Sequence, residues 1–458
     1  MLFNEKLHMT PRERILNDRP FSALWRLALP NMIASFIQSL MLVAEGWYIG
    51  GLGGQALAGI ALVLPLLMLT LMLSAGAMGG AVGGAMARAV GADDMPRANT
   101  VLRLAILLAL VIGGLNGLLL ILFGRQIFIA MGGDGAILQF AEEYSAVLFP
   151  GIVLLWLTNM AAAAMRGTGH MIQPAIGLVL VVVVHFALVA GQRAMGYPLG
   201  VAGGAWALIG AFSAGLFYLV VVLTRPGRAI RLTLRGWTGM IGGRRILGAG
   251  LLAGSQSFLT IIYTMLATAV FARMGADWLA GYGIGARLEM FVVPFVFGIG
   301  GASMVATGTL LDAGRRADAI RMGWMAAYWA AAILGVVGTV LAIWPGLWTG
   351  LFTDDPAIQA AAAAYLLRVG PLYAFFALGL CLYLASQGME TLTVPVIGAV
   401  LRLLVVAAGF GVLSFADALT PENALIVIAI SMVIYGGSVA LGLRAGPWSL
   451  KRNELVRA

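Results

Sequence analysis

LGGQALAGIAL at residues 52–62 and MGADWLAGYGI at residues 274–284 are two copies of one pattern, with Leu57-Ala58-Gly59 recurring as Leu279-Ala280-Gly281 at 281 − 59 = 222 positions. Further on, Tyr144, Pro150, Gly167, Pro174 and Gly177 find Tyr365, Pro371, Gly388, Pro395 and Gly398, all at 371 − 150 = 221 positions. Chance produces single matches of this kind but not a register held over most of a half. A duplicated and very apolar chain is the sequence signature of a secondary transporter, whose substrate path lies between the repeats. The matches run in the same direction in both halves, which predicts repeats related by an axis along the membrane normal.

The 458 residues are 61% hydrophobic and 10% charged, with a mean hydropathy of +0.97. These values exclude an ordinary soluble domain. Twelve mostly apolar stretches can each cross a hydrocarbon layer of roughly 30 Å as a helix. They fall near 25–49, 56–84, 101–123, 138–164, 171–191, 203–224, 247–272, 279–308, 320–344, 358–386, 392–415 and 422–443. The expected fold is all-α integral membrane, with 12 transmembrane helices in two homologous six-helix bundles. The division expected is an N-terminal segment (1–24), a first bundle (25–224), a basic linker (225–246), a second bundle (247–443) and a tail (444–458).

The net charge of +9 does not point to nucleic acid, because the basic residues occupy alternate loops. Arg12, Arg14 and Arg19, then Arg88, Arg97 and Arg103, then Arg225 to Arg245, then Arg315, Arg316 and Arg321, and finally Lys451, Arg452 and Arg457 share one side if there are twelve crossings. The opposite loops carry Asp134, Glu142, Glu143, Asp354, Asp355, Asp417 and Glu422. By the positive-inside rule both termini are cytoplasmic in an inner (cell) membrane. The first 20 residues lack the apolar run of a cleavable signal. Cys381, the only cysteine, allows no internal disulfide and no thiolate metal cluster.

Polar groups within the spans are the candidates for function, since lipid offers them no hydrogen-bond partner. Asn31, Gln38 and Glu45 stand at steps of seven on one face of the first helix, joined by Ser35. That face is expected to look into the bundle, although Glu45 could also stand solvated at the outer surface. A carboxyl removed from water tends to keep its proton, which suits a proton-coupled carrier. Pro30 lies 15 residues ahead of Glu45, where it either bends the helix or occupies its first turn. His185, alone in VVVVHFALVAG, is either a satisfied buried histidine or a proton relay facing Glu45. In the second half, Gln256, Thr260 and Tyr263 form a milder polar face, and the position equivalent to Glu45 is Ala267, since 45 + 222 = 267. Arg287 and Glu289, two residues apart on a helix, each pair elsewhere as structural anchors. Arg402 is expected to snorkel to the cytoplasmic surface. Glycines from Gly76 to Gly91 read as close helix packing. The 23 methionines and 20 phenylalanines suit an adaptable apolar cavity, though lipid-facing packing accounts for most of them. No nucleotide-binding loop, nucleophile–base pair or metal-ligand cluster is legible, so neither enzyme chemistry nor a cofactor is expected.

With these motifs the chain resembles the multidrug and toxic compound extrusion (MATE) family. The resemblance rests on Leu29-Pro30 and Glu45, then on GLGGQALAGIALVLP (51–65), ARAVGADDMPRA (87–98), RGTGHMIQP (166–174) and GYPLGVAGGAWA (196–207). LAGYGIGARLE (279–289), GIGGASMVATGTLLDAGRRADA (298–319) and SQGMETLTVP (386–395) continue it. The resemblance implies exchange of an exported organic cation for inward H⁺ or Na⁺. It maps a bent first helix with a downstream acid onto Pro30 and Glu45, an aspartate being more usual. It maps an acidic or amide position in the fifth helix onto His185, and an amide one turn earlier onto Val181. A sodium site wants several hard oxygens, which valine and histidine do not supply, so H⁺ is favoured. Small organic molecules, the coupling ion and membrane lipids are the expected partners. A lipid-linked precursor flippase is the alternative within transport, and a channel or structural membrane subunit the alternative outside it.

Overall fold

The structure is a computed structural model, and it describes residues 9–225, 230 and 242–449. Most of the Arg225–Arg245 linker and both chain ends, the segments expected to be cytoplasmic, lie outside the described residues. A short helix α1 (Pro11–Asn17) precedes the first spanning helix. Twelve helices of the described residues are long and apolar enough to cross a membrane: α2 Pro20–Gly50, α3 Gly54–Gly91, α4 Met95–Ala130, α5 Gly135–Gly167, α6 Ile172–Ala194, α7 Ala202–Thr224, α8 Gly243–Ala272, α9 Ala276–Asp312, α10 Arg316–Ile343, α12 Pro356–Met389, α13 Thr393–Phe415 and α14 Pro421–Ala445. A one-turn helix α11 (Gly346–Thr349) stands before α12. Each coincides with a stretch marked in the sequence, and most run a turn or more beyond it, because caps rather than hydropathy set their ends. Asp94 takes the Arg97 N–H to start α4, Asp355 takes the Ala357 and Ile358 N–H groups to start α12, and Thr420 takes the Asn423 N–H to start α14. Pro356 and Pro421 follow their caps at the first helical position, where a missing N–H costs nothing.

Contacts divide the described residues into two compact units, those up to residue 16 with those between 33 and 254, and residues 17–32 with those from 255 onward. The division falls within α2, between Met32 and Ile33, two residues beyond Pro30. Pro30 is not in the first turn, since α2 begins at Pro20.

Several close contacts of one unit recur at equivalent positions in the other. A Cβ on Gly59 would strike Phe140 and Ala141 of α5, and one on Gly281 would strike Ala361 and Ala362 of α12. Gly117 in α4 lies against the Phe149 carbonyl, and Gly338 in α10 lies against the Gly370 carbonyl, at 338 − 117 = 221 and 370 − 149 = 221 positions. Gly177 packs on Tyr218 and Leu219, Gly398 on Ser438 and Val439. The loops agree as well: Gly53 before α3 and Gly275 before α9 both have φ +110°, a conformation that favours glycine. Pro174 and Pro395 are each the third residue of their helices. Pro150 and Pro371 differ, for α5 runs on through Pro150 whereas α12 tightens to a 3₁₀ turn at Gly370–Leu372.

The offset falls from 222 at Gly59 to 221 by the end of α3, and the structure locates this change. Gly167 lies against Gly83 and Met86, and Gly388 against Met304 and Thr307, so the offset is already 304 − 83 = 221 there. Between the two points α3 contains a π-helical turn, Met72–Met78, and no such turn interrupts α9. A π turn accommodates one residue more than the α-helix it interrupts. Accordingly α3 has 38 residues and α9 has 37. The turn buries Ser74, whose Oγ takes a 2.8 Å hydrogen bond from Asn159 Nδ2 of α5. Beyond it the whole of Gly79–Gly91 is buried, as the glycine run predicts.

Candidate functional site

In the first unit the two ionisable side chains of α2 and α6 meet. Glu45 is 3% exposed and His185 is 0% exposed. His185 Nε2 lies 2.7 Å from Glu45 Oε2, and the Tyr144 hydroxyl of α5 donates to Glu45 Oε1 at 2.7 Å. Two bare lone pairs do not approach so closely, so the carboxyl–imidazole contact contains a proton. His185 Nδ1 has no hydrogen-bond partner. Room for the carboxyl comes from Gly204 in α7, where a Cβ would collide with Glu45 Oε1. Next along α7, Gly203 makes room for Gln192 and Tyr48, so the GG of GYPLGVAGGAWA is a steric requirement of the site. Tyr48 donates to the Gly200 carbonyl at 2.8 Å, and Gln192 Nε2 to the Gly203 carbonyl at 2.9 Å. Together they join one end of the site to the loop before α7 and to the first turn of α7.

The other residues of the first-helix stripe go elsewhere. Asn31 belongs to the second unit, where its Nδ2 points at the carbonyls of Phe297 and Gly298 at 3.3 and 3.4 Å. Gln38 is half-buried in the first unit. Steps of seven do place the three on one face of a helix, but the division after Met32 gives Asn31 and Glu45 different neighbours.

The second unit contains its own polar cluster. Glu289 Oε1 accepts from the Tyr365 hydroxyl at 2.9 Å, and the Tyr373 hydroxyl lies 3.3 Å from that of Tyr365. Arg287 is exposed, its guanidinium 5.5 Å from the Phe352 ring centre, so the two neighbours in sequence do have separate partners. Arg402 does not snorkel. It is 6% exposed, with its guanidinium 3.9 Å from the ring centre of Tyr263, 5.2 Å from that of Phe376 and 5.8 Å from that of Tyr435. The expectation failed because depth along a helix does not tell which way a side chain faces, and α13 turns this position toward aromatic rings of three other helices. Gln256 Nε2 donates to the Tyr435 hydroxyl at 2.8 Å.

Tyr144 and Tyr365 are equivalent by the repeat, at 365 − 144 = 221, and each donates to a glutamate. The glutamates are not equivalent. Glu45 and His185 correspond to Ala267 and Val406, while Glu289 and Arg402 correspond to Leu67 and Val181. All four of those apolar counterparts are buried. Each unit therefore has its acid and its basic group where the other is apolar. The tyrosine appears in the sequence only as a repeat marker, and its role as donor was not foreseen; Tyr48 and Gln192 were missed as well. The positional equivalence Tyr144/Tyr365 was the available signal.

Twelve apolar helices in two repeated sets, with ionisable groups buried in each, define a membrane transporter rather than an enzyme. The MatE family model matches residues 30–190 and again residues 253–413, and the chain belongs to that family. Among curated proteins it is similar to a probable multidrug resistance protein NorM of Thermotoga maritima, 25% identical over 84% of this chain and 83% of that one. It is also similar to an FAD transporter of Shewanella oneidensis, 22% identical over 87% and 90%, and to the multidrug export protein MepA of Staphylococcus aureus, 23% identical over 76% and 77%. Among solved structures, MATE in a bent conformation matches with a TM-score of 0.87 at 22% identity, over 96% of this chain and 98% of that one. An outward-facing multidrug resistance MATE transporter matches with a TM-score of 0.82 at 21% identity, over 96% of each chain.

Proposed function

We propose that the chain is an inner-membrane antiporter that exports amphipathic, often cationic organic compounds in exchange for protons, with Glu45 and His185 as the coupling pair. The observation that carries this reading is the buried 2.7 Å contact between the two side chains. With the carboxyl ionised and the imidazole neutral, its one N–H directed at the carboxylate, the pair has a net charge of −1 in a place where water does not solvate it. Such a charge is costly until something neutralises it. A proton does so on one side of the membrane and an organic cation on the other, so each favours release of the other. The Tyr144 hydroxyl holds the carboxyl in place through both states. Sodium is less well served, because one of the two carboxylate oxygens faces an imidazole nitrogen, and sodium prefers a shell of oxygens. The relatives named for multidrug resistance and export support organic compounds as cargo.

The test is transport by purified protein in liposomes, with a cationic dye such as ethidium and with H⁺ and Na⁺ gradients imposed separately. A pH gradient drives dye movement and a sodium gradient at equal pH does not. Equal driving by sodium would overturn the assignment of the ion. Absence of dye movement under either gradient would overturn the assignment of cationic cargo.

A further inference from the structure

We propose that Arg402 and the rings around it form a binding site for an anionic group, carboxylate or phosphate, of an amphipathic aromatic compound. The site lies wholly within the second unit. Arg402 is 94% buried by the 6% exposure given above, and its Nε and Nη2 have no hydrogen-bond partner. Gln256 is equally buried, and its Oε1 also has no partner. A guanidinium cannot relieve its position by losing a proton. The rings of Tyr263, Phe376 and Tyr435 attract its face, at 3.9 to 5.8 Å, and the Tyr263 hydroxyl also interacts with it, but a ring face satisfies no N–H in the guanidinium plane and Nε and Nη2 stay without a partner. The carboxylate that acts on it electrostatically is Glu289, and Glu289 is held by the Tyr365 hydroxyl instead of forming an ion pair.

A structural role does not account for this cation. Its counterpart in the first unit is Val181, 1% exposed against Gly215, so the same helix packing is made there with an apolar side chain. The ring of Tyr435 stands where the first unit has Gly215, at 435 − 215 = 220, in the register of the Gly177 and Gly398 contacts. An arginine and a large aromatic ring together thus replace a valine and a glycine. The planar fork of N–H donors matches two oxygens of a carboxylate or phosphate. The three rings match a flat apolar body attached to it. Such a site extends the cargo from cations to zwitterions and organic anions.

The inference rests on the reading of the chain as an exporter, and equilibrium binding without a gradient tests it separately. Purified full-length protein in phosphatidylcholine nanodiscs is titrated with pyrenebutyrate and with the uncharged pyrenebutanol. Wild type prefers the carboxylate by roughly 10- to 100-fold, the worth of hydrogen bonds to a charged group. Arg402→Met, which keeps the long stem, brings the two ligands to parity, and Arg402→Lys retains part of the preference. Equal binding of the two ligands by wild type refutes the proposal whether or not any variant folds, as does an unchanged preference in Arg402→Met. Phosphatidylglycerol added to the nanodiscs identifies the source of the anion. Competition with pyrenebutyrate in wild type and not in Arg402→Met assigns the site to a lipid headgroup, and no competition assigns it to a soluble organic anion. A failed preference beside intact proton-driven transport of ethidium refutes this site and leaves the exporter standing.

Discussion

Replacing Gly204 by Ala puts one methyl group against the candidate coupling acid. The new Cβ would collide with Glu45 Oε1 and lie 3.1 Å from Glu45 Cδ and 3.2 Å from Tyr144 Cε2. What yields is the far end of a flexible side chain, so the helices stay where they are and the carboxyl turns away. In a helix interior alanine is better than glycine by about 1 kcal/mol, which offsets part of the crowding cost of ~1–3 kcal/mol. Melting temperature should therefore change little. The carboxyl, however, loses the 2.7 Å bond from Tyr144, and a hydrogen bond to a charged group contributes about 1.5–3 kcal/mol. Since ~1.4 kcal/mol is a factor of ten, proton-driven dye transport should fall roughly 10- to 100-fold. The assay is ethidium movement in proteoliposomes under an imposed pH gradient, at matched protein levels. Gly114→Ala, whose Cβ would meet nothing within 4 Å, is the control and should transport as wild type does. Transport by Gly204→Ala within twofold of wild type at every pH would refute the placement of the coupling acid beneath α7.

Glu45→Gln, a neutral analogue that cannot release a proton, should abolish gradient-driven export while ethidium still binds; Glu45→Asp should retain part of the activity and His185→Ala should move the pH optimum. Wild-type pH dependence in Glu45→Gln would transfer coupling to His185 or to Glu289. Pro30→Ala restores a backbone N–H within α2 and should slow turnover at unchanged dye affinity, measured by stopped-flow efflux beside equilibrium binding; unchanged turnover removes Pro30 as a hinge. Single cysteines in the Arg225–Arg245 segment of a Cys381→Ser background should react with an impermeant maleimide only when the cytoplasmic face is accessible, and labelling from outside would reverse the topology.

The sequence made the twelve spans and their duplication legible because hydropathy and repeat register are one-dimensional properties. Glu45 and His185 were legible for a related reason, since an ionisable side chain in an apolar run has to find a partner. What failed was direction around a helix axis. Arg402 was expected at the surface, and the rings that enclose it come from positions 263, 376 and 435, whose convergence no spacing announces. Asn31 shares a helix face with Glu45, yet belongs to the second unit and contacts carbonyls of that unit's own α9, because the units divide between the two residues.

The wide turn in α3 is a record of descent. One added residue in a regular helix would rotate everything beyond it by about 100°. Gly83 and Met86 would then face away from Gly167. Yet they face it just as Met304 and Thr307 face Gly388, so the surplus was absorbed where it arose, without repacking the partner helix. One half gained this residue after the duplication, or the other lost it, and the later copy is a viable deletion mutant supplied by nature. Shortening the Met72–Met78 segment by one residue should therefore yield a folded protein with an unbroken α3, deprived of the Ser74–Asn159 contact. A one-residue difference between the halves is thus held as a wide turn, and the turn gives one half a polar contact that its twin does not have.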